Sequence, residues 1–545
     1  MSSKEEMKQH YHALVDMGSN GIRFSITDLL PPTSRILPTV YQDRSPISLY
    51  DAQSQNGTKI PIPEPIIQDV ITALLRFKRT CTEFLVPDTQ VRIVATEATR
   101  NAINGPDLIR RIDEQLGWKS QLLSKEDEGR LGAMGVASSV DELEGIVMDM
   151  GGGSVQMTWV SKQADGEIEM GEKGSISLPF GAAALFASMG TSSGNPEESP
   201  LSKEIVQKFQ DGLSDLGISN EKPLNLYLSG GGFRGWGHLL MALDEVQPYP
   251  IPIVNGYSIH SSRFLPEDID ASDLRKYRIS KRRASQVPGV ELVVKALLRA
   301  ISPKIKLGIV TFCQGGVREG LLYNDLPREL RRQKPLVAAT KPFAPHSASE
   351  LLDMVSSLVP AGAPLDRNVV EATVNLLYAH ASNPKDIRSS AALRSTTTGL
   401  LSATHGLSHY HRCILGLVLC ERWGGKVAPI DEGFLQSLQR LISPLPCWWA
   451  KYLGRVASGI ADLYPAGLVD QDDIRPFSIE RCSLVTGGSE QEESSKSIEI
   501  DMVILEAESS QKARDWTEGL TKLGKKKNWA DGERGIVIDL RVSSS

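Results

Sequence analysis

The sequence lacks several features that would place it in a specialised class of protein. Its six cysteines include no CxxC pair, which predicts reduced thiols and no disulfide framework. Its longest clean apolar run, Cys413 to Cys420, is far shorter than the about 18 residues that a membrane span requires. The first residues, MSSKEEMKQHYH, lack the apolar core of a secretory signal. We therefore expect a soluble protein of the cytoplasm, or of the cytoplasm and nucleus, without membrane contact.

A surplus of basic residues is also missing. The chain carries 60 Lys and Arg against 66 Asp and Glu, for a net charge of −6. Direct binding to nucleic acid or to an anionic membrane surface usually needs the opposite balance. A negative chain also repels a polyanion at long range, so any phosphate site must be built locally.

The length and the element pattern predict several α/β domains. A chain of 545 residues is too long for one core, and about 100–200 residues per domain is typical. Strand-like segments such as Val91–Ala95 alternate with helical ones such as Glu64–Phe84. The predicted divisions are residues 1–144, 145–326 (with 302–326 as an alternative return to the first domain), a linker at 327–349, a mainly helical region at 350–486, and a small α/β tail domain at 497–545.

Two glycine-rich turns share one design. Each places an aspartate near a strand end and glycines in the tight turn after it, in Asp16–Gly21 (DMGSNG) and in Asp149–Ser154 (DMGGGS). Glycine lets backbone N–H groups converge on an anion, and an aspartate can hold hydrated Mg²⁺. Either turn alone could be an ordinary hairpin, but the matched pair favours a phosphate-binding cleft with Asp16 and Asp149 as magnesium ligands. The predicted phosphate-binding residues of the turns are Gly18, Ser19, Asn20, Gly21, Gly151, Gly152, Gly153 and Ser154.

A third glycine run, Gly230, Gly231 and Gly232, follows the predicted strand Leu224–Leu228 and precedes a helix. Such a turn can admit a ligand to the helix N-terminus, and we predict a nucleotide-binding role for it. The alternative is a plain connection between a strand and a helix.

The strings that surround these turns resemble the exopolyphosphatase/guanosine-pentaphosphatase family. ALVDMGSNGIRFSI resembles its first phosphate loop and IVMDMGGGSVQM its second, with VATEATRNAINGPDLIRRI and LLSKEDEGRLGAMGV between them. The resemblance is collinear from Ala13 to Leu322. It implies a duplicated ribonuclease-H-like fold of the actin, sugar kinase and heat-shock ATPase type, with the ligand between residues 1–144 and 145–326.

Four further side chains are predicted to belong to the site. The resemblance implies that Glu128 matches the acid that activates water in hydrolytic relatives, and Arg100 follows a segment that resembles the family's arginine-bearing cleft edge. Arg23 and Arg100 are predicted to contact phosphate oxygens, because guanidinium pairs well with them, and Gln156 is predicted to bind phosphate beside the second loop. From the residues alone, Glu128 could instead favour the dipole of a helix capped by Ser124, and the arginines could form surface salt bridges.

The sequence departs from hydrolytic relatives at three positions. Gln156 stands where they carry a glutamate, Gly21 where many carry a serine, and Ser285 where they carry an acid. These departures, and the similarity to a fungal branch of the family, imply a regulator that binds phosphate or nucleotide. The branch implies mitochondria-to-nucleus retrograde signalling with protein partners, and a homodimer stays open. The alternative is an active phosphohydrolase that acts on polyphosphate, guanosine pentaphosphate or a nucleoside triphosphate with Mg²⁺.

One further cluster of potential metal ligands lies in the helical region. His405, His409, His411 and Cys413 fall within nine residues, and His405 and His409 would share a helix face. No acidic residue completes the set before Glu421, so a structural segment is the favoured interpretation and a zinc site the alternative.

Overall fold

The computed structural model describes residues 7–55, 58–189, 199–218, 222–267, 269, 281–301, 305–470, 477–487, 495–504, 510–525 and 536–544. The chain divides into two compact units. The first, here the cleft unit, contains residues 1–244, 253–335 and 403–408. The second, here the helical unit, contains residues 245–252, 336–402 and 409–545.

The first lobe of the cleft unit is built on a five-stranded sheet with the order β3-β2-β1-β6-β7. β1 is antiparallel to β2 and parallel to β6, and its residues are buried on both faces. The elements are β1 (Tyr11–Gly18), β2 (Gly21–Asp28), β3 (Thr39–Ser45), β4 (Ser54–Gln55), β5 (Thr58–Lys59), α1 (Glu64–Glu83), β6 (Val91–Ala95), α2 (Glu97–Asn101), α3 (Gly105–Leu116), β7 (Ser120–Leu122) and α4 (Lys125–Ser138).

The second lobe repeats this arrangement, with the strand order β10-β9-β8-β11-β13-β12. β8 is antiparallel to β9 and parallel to β11, as β1 is to β2 and β6. The repeated strand order is that of a duplicated ribonuclease-H-like fold, so the predicted fold class is confirmed. The elements are β8 (Glu144–Met150), β9 (Val155–Lys162), β10 (Ile168–Leu178), α5 (Ala182–Met189), α6 (Pro200–Asp215), β11 (Leu224–Ser229), α7 (Gly230–Ala242), β12 (Tyr257–His260), α8 (Lys281–Ala300), β13 (Leu307–Phe312), α9 (Val317–Asp325) and α10 (Arg328–Arg331).

Helices α4 and α9 fill the space between the two sheets. One hydrophobic cluster joins their buried residues to Leu14 of the first sheet and Val147 of the second. The helices approach closely because glycines line the contact. A Cβ added to Gly135 would lie 2.1 Å from the Gly316 carbonyl oxygen, and one added to Gly320 would lie 1.8 Å from that of Leu131. β13 pairs with β11 in the second sheet, whereas α9, which follows it in the chain, packs on α4 and on β1 of the first lobe.

Both ends of α4 are fixed by side chains. At its N-terminus the Ser124 hydroxyl accepts a hydrogen bond from the Asp127 backbone N–H at 3.0 Å. Beyond its C-terminus the fully buried Arg35 donates to the carbonyl oxygens of Ser138 and Val140, at 2.9 and 3.2 Å. These bonds satisfy backbone groups that a helix leaves unpaired, and they hold α4 in one position.

The helical unit contains short helices around α15 and α17, followed by a three-stranded sheet that α18 covers. Trp448 and Trp449 of α17 are buried in its core. The elements are α11 (Pro335–Thr340, which begins in the cleft unit), α12 (Ala348–Ser357), α13 (Arg367–Asn375), α14 (Arg388–Leu393), α15 (His409–Arg422), α16 (Glu432–Arg440), α17 (Pro444–Leu463), β14 (Phe477–Gly487), β15 (Ser495–Ile504), α18 (Ser510–Lys525) and β16 (Val537–Ser544). Among the described residues, none of the helices has the length and apolarity to span a membrane.

Two predicted boundaries differ from the structure. Residues 327–349 contain α10, α11 and a short 3₁₀ turn instead of an extended linker, because Leu336 and Ala339 are buried. The tail domain includes β14 at residues 477–487, which the prediction assigned to the helical region ending at 486. A register shift between Ile479 and Arg481 breaks the alternation of apolar residues, so the strand has no clean signature in the sequence.

We predict that Gly320→Ala destabilises the cleft unit by about 1–3 kcal/mol, because the new methyl group has no space against the α4 backbone. Thermal unfolding would measure the effect, and hydrogen exchange would localise it to α4 and α9. Gly433→Ala in α16 is a matched control, since a Cβ there meets nothing within 4 Å. Equal stability of the two variants would contradict the importance of the close crossing.

Candidate functional site

The two predicted phosphate loops lie at equivalent positions in the two lobes. Ser19 and Asn20 turn β1 into β2, and residues 151–154 turn β8 into β9. In the strand registers Asp16 is paired with Arg23, and Asp149 is paired with Gln156. Each loop therefore carries one aspartate on the incoming strand and one polar partner on the outgoing strand.

The loops meet across the cleft. A Cβ added to Gly152 would lie 2.4 Å from the Asn20 Nδ2 atom, so the side chain of the first loop rests on the backbone of the second. A side chain at position 152 would require the Asn20 side chain to move. The structure thus brings together two segments that are separated by about 130 residues in the sequence.

The loops border a cavity of about 600 Å³ between the lobes. The predicted site residues that line it are Asp16, Gly18, Ser19, Asn20, Gly21, Arg23, Glu128, Asp149, Gly151, Gly152, Ser154, Gln156, Gly230, Gly231 and Gly232. Arg100 and Gly153 do not line it. Ser285 does not line it either, whereas its neighbour Gln286 does.

The carboxyl groups of Asp16 and Asp149 have raised pKa values because both are buried. Burial raises the pKa of Asp16, an effect that the Arg23 guanidinium, 3.7 Å away, partly offsets. Burial also raises the pKa of Asp149 to about 6, and the carboxylates of Asp16 and Glu319 add to the rise. Both groups would gain from a nearby cation, which would stabilise their charged forms.

Glu128 lies in the first turn of α4 and faces the cavity. Its Oε2 atom accepts hydrogen bonds from both terminal nitrogens of Arg100, each at 3.1 Å. Burial raises the pKa of Glu128 to about 7 in spite of this guanidinium, and the carboxylates of Glu97 and Asp16 contribute to the rise. A carboxylate with this pKa can accept a proton from water near neutral pH.

The structure places Arg100 beside Glu128, and its predicted role as a phosphate ligand stays a prediction. Besides Glu128, it donates to the Leu123 carbonyl oxygen at 2.7 Å, and it lies outside the cavity lining. Arg100 of α2 thus contacts the first turn of α4, where it can orient Glu128.

The third glycine run packs against the second phosphate loop. Gly230 has a φ of +87°, and a Cβ there would lie 2.2 Å from Asp149 Oδ1 and 2.4 Å from the Met150 carbonyl oxygen. The N-terminus of α7 therefore faces the cavity beside Asp149. A helix N-terminus can bind an anion, and the predicted nucleotide-binding role of this run stays a prediction.

Several cavity residues were missed by the sequence analysis. Arg318 and Glu319 lie in the first turn of α9, and Arg318 Nη2 is 3.4 Å from Glu319 Oε1. Burial alone would raise the pKa of Glu319, but Arg318, His405 and the backbone N–H of Gly316 together lower it. A glycine pair after a strand, Gly315-Gly316, was the available signal for this part of the lining.

The structure separates the histidine cluster. His405 lines the cavity of the cleft unit, whereas α15 begins only at His409, whose Nδ1 atom lies 2.7 Å from the Tyr249 hydroxyl. His411 lies 3.3 Å from Asp366, and Cys413 is buried. The predicted shared helix face of His405 and His409 is wrong because Gly406, with a φ of +82°, precedes the helix. Within the described residues, no group of three or more His, Cys, Asp or Glu side chains could hold a metal ion by itself.

Comparison with known proteins gives the family of this chain. Residues 29–329 match the Ppx/GppA phosphatase family model, and residues 334–545 match the RTG2 C-terminal domain model. The chain belongs to the Ppx/GppA phosphatase family, as the sequence resemblance predicted.

The names of the similar proteins include a regulation protein and an exopolyphosphatase. Retrograde regulation protein 2 of Saccharomyces cerevisiae is 37% identical over 513 residues, which cover 88% of this chain and 85% of that protein. Exopolyphosphatase 1 of Mycobacterium leprae is 28% identical over 254 residues, or 43% of this chain and 68% of that protein. A solved structure of the Aquifex aeolicus Ppx/GppA family member is 23% identical, covers 58% of this chain and 97% of its own, and has a TM-score of 0.45.

The raised pKa of Glu128 has a consequence for stability. Between its ordinary value of 4.5 and about 7, the native state holds a proton that the unfolded chain has lost. This group therefore makes the free energy of unfolding fall as the pH rises through that window. We predict that Glu128→Gln flattens this fall and raises stability above pH 7 by on the order of 1 kcal/mol.

Urea unfolding between pH 4.5 and 8 would measure this profile. Glu126→Gln removes an exposed carboxylate from the same helix and should leave the profile unchanged. An unaltered slope in Glu128→Gln would show that this carboxyl group is not the one that titrates.

Proposed function

We propose that this protein is a regulator that binds a phosphate-bearing ligand, either a nucleotide or polyphosphate, in the two-lobed cleft. The observation that carries the proposal is the meeting of two glycine loops, one from each lobe, at a cavity that also contains Asp16 and Asp149. Converging backbone N–H groups at such loops suit phosphate oxygens. Ligand binding between two lobes also allows a hinge motion that partners can detect.

The second phosphate loop supports regulation over efficient hydrolysis. Gln156 donates from Nε2 to the Ser154 hydroxyl at 3.1 Å, and an amide cannot accept a proton or supply a negative metal ligand. The relative named Retrograde regulation protein 2 supports a role in mitochondria-to-nucleus retrograde signalling. In this proposal the protein acts in the cytoplasm, with or without a nuclear pool, through regulatory protein partners.

We propose Mg²⁺ as the accompanying cation. The cavity is lined by six carboxylates and four guanidinium groups, so a phosphate ligand would add negative charge to a site that already has an excess of it. Mg²⁺ prefers oxygen ligands and is commonly held by one or two carboxylates, water and phosphate oxygens. Asp16 and Asp149 fit this pattern, and the cation would neutralise charge on both the protein and the ligand.

One observation favours a second function, phosphoanhydride hydrolysis. The pKa of Glu128 is about 7, and a hydrogen bond from Arg100 holds the Glu128 carboxylate at the edge of the cavity. There it could take a proton from a water that attacks a terminal phosphorus, with the remaining phosphate chain as the leaving group. Arg23 and Arg318 would then stabilise the negative charge on the phosphate oxygens.

Binding is tested by ligand-dependent thermal stabilisation with tripolyphosphate, guanosine pentaphosphate and ATP, each with Mg²⁺. A ligand at 100 times its Kd stabilises a protein by about 2.7 kcal/mol. We predict that Asp149→Ala abolishes this stabilisation because it removes the proposed cation ligand. Asp165→Ala, a change of an exposed aspartate in the same lobe, should retain it. Stabilisation that survives in Asp149→Ala would contradict the proposed site.

Phosphate release under the same conditions separates the two functions. Binding without release supports the regulator. Release that disappears in Glu128→Gln, while ligand stabilisation persists, supports the hydrolase and makes regulation secondary.

A further inference from the structure

Glu97 makes a direct connection between the two lobes. It is the first residue of α2 in the first lobe, and its side chain reaches the second phosphate loop. The Ser154 hydroxyl donates a hydrogen bond to Glu97 Oε2 at 3.1 Å. A Cβ added to Gly153 would lie 2.5 Å from the same oxygen, so the carboxylate lies directly against the loop backbone.

This position is the one that an anionic ligand of the loop would use. The loop offers donors, and the Ser154 hydroxyl is the donor that its side chains contribute. In the structure this hydroxyl already donates its hydrogen bond to the Glu97 carboxylate, which is an anion of the protein itself. The Ser154 oxygen also accepts from Gln156 Nε2 at 3.1 Å, which directs the hydroxyl proton toward Glu97.

Two other roles for Glu97 explain the contacts less well. An acid in the first turn of a helix can favour the helix dipole, but α2 has only five residues and the carboxylate bonds to the opposite lobe. A magnesium ligand would be expected to join the aspartates, yet within the described residues no group of three such side chains could hold a metal.

We propose that Glu97 is an internal competitor for the second phosphate loop. A phosphate group gains the Ser154 hydroxyl only after the Glu97 carboxylate has moved away, since two adjacent anions repel each other. The displacement breaks a bond between the lobes, so ligand entry and a change in lobe contact are one event. This inference rests on the proposed function, because it assumes that the cleft binds phosphate.

The experiment is calorimetric titration of the full chain with tripolyphosphate, with and without Mg²⁺. Glu97→Gln keeps the size and an acceptor for Ser154 but removes the charge. We expect it to bind tripolyphosphate on the order of tenfold more tightly than the unaltered chain, with the larger gain in the absence of Mg²⁺. Glu126→Gln, which removes an exposed carboxylate outside the cavity, should bind like the unaltered chain.

The outcomes distinguish the possible failures. If the unaltered chain binds and Glu97→Gln binds equally or more weakly, the competitor role is wrong while the proposed function stands. Weaker binding confined to the Mg²⁺ series would assign Glu97 to the metal instead. If neither the unaltered chain nor any variant binds tripolyphosphate, the inference fails together with the polyphosphate form of the proposed function, and the thermal stabilisation measurements with guanosine pentaphosphate and ATP decide the nucleotide form. Glu97→Ala provides a second test should Glu97→Gln not fold, and it should also bind more tightly than the unaltered chain.

Discussion

The close approach of α4 and α9 is the constraint on which the cleft depends. Glycines at the crossing let the two backbones touch, and the resulting helix pair forms one core with both sheets. The same helices carry side chains of the site at their N-terminal ends, Glu128 on α4 and Arg318 with Glu319 on α9. The packing of the core therefore fixes the positions of charged groups that face the cavity.

The second constraint is electrostatic. Asp16, Glu128 and Asp149 line the cavity but are largely buried, and burial raises the pKa of each. The guanidinium groups of Arg23 and Arg100 offset only part of this cost. Without a ligand, a cleft of this kind holds unfavourable negative charge, which the proposed cation would relieve. In the proposed function, the difference between the free and bound states would supply the free energy for a switch.

Sequence reasoning found the parts of the site that local backbone chemistry dictates. The place of the two glycine loops at one cleft could be predicted because they form a matched pair, whereas either turn alone could be an ordinary hairpin. Phosphate binding by the loops stays a prediction, and β6 was predicted with its observed bounds. Glu97 could not be singled out, since one acid in the first turn of a helix is ordinary. The place of His405 was equally hidden, because it depends on a tertiary contact between distant segments. β14 escaped because its register shift interrupts the alternation of apolar residues.

One residue of the cavity lining comes from the region that matches the second family model. His405 belongs to the region that matches the RTG2 C-terminal domain, yet residues 403–408 are part of the cleft unit. Leu407 supplies a carbonyl oxygen so close to Gly256 that a Cβ there would lie 2.2 Å away. A gene fragment cut at the boundary between the two family models would encode a cleft unit without residues 403–408, and so without His405 in the cavity lining. The boundary between the two family models therefore does not coincide with the boundary of the cleft unit.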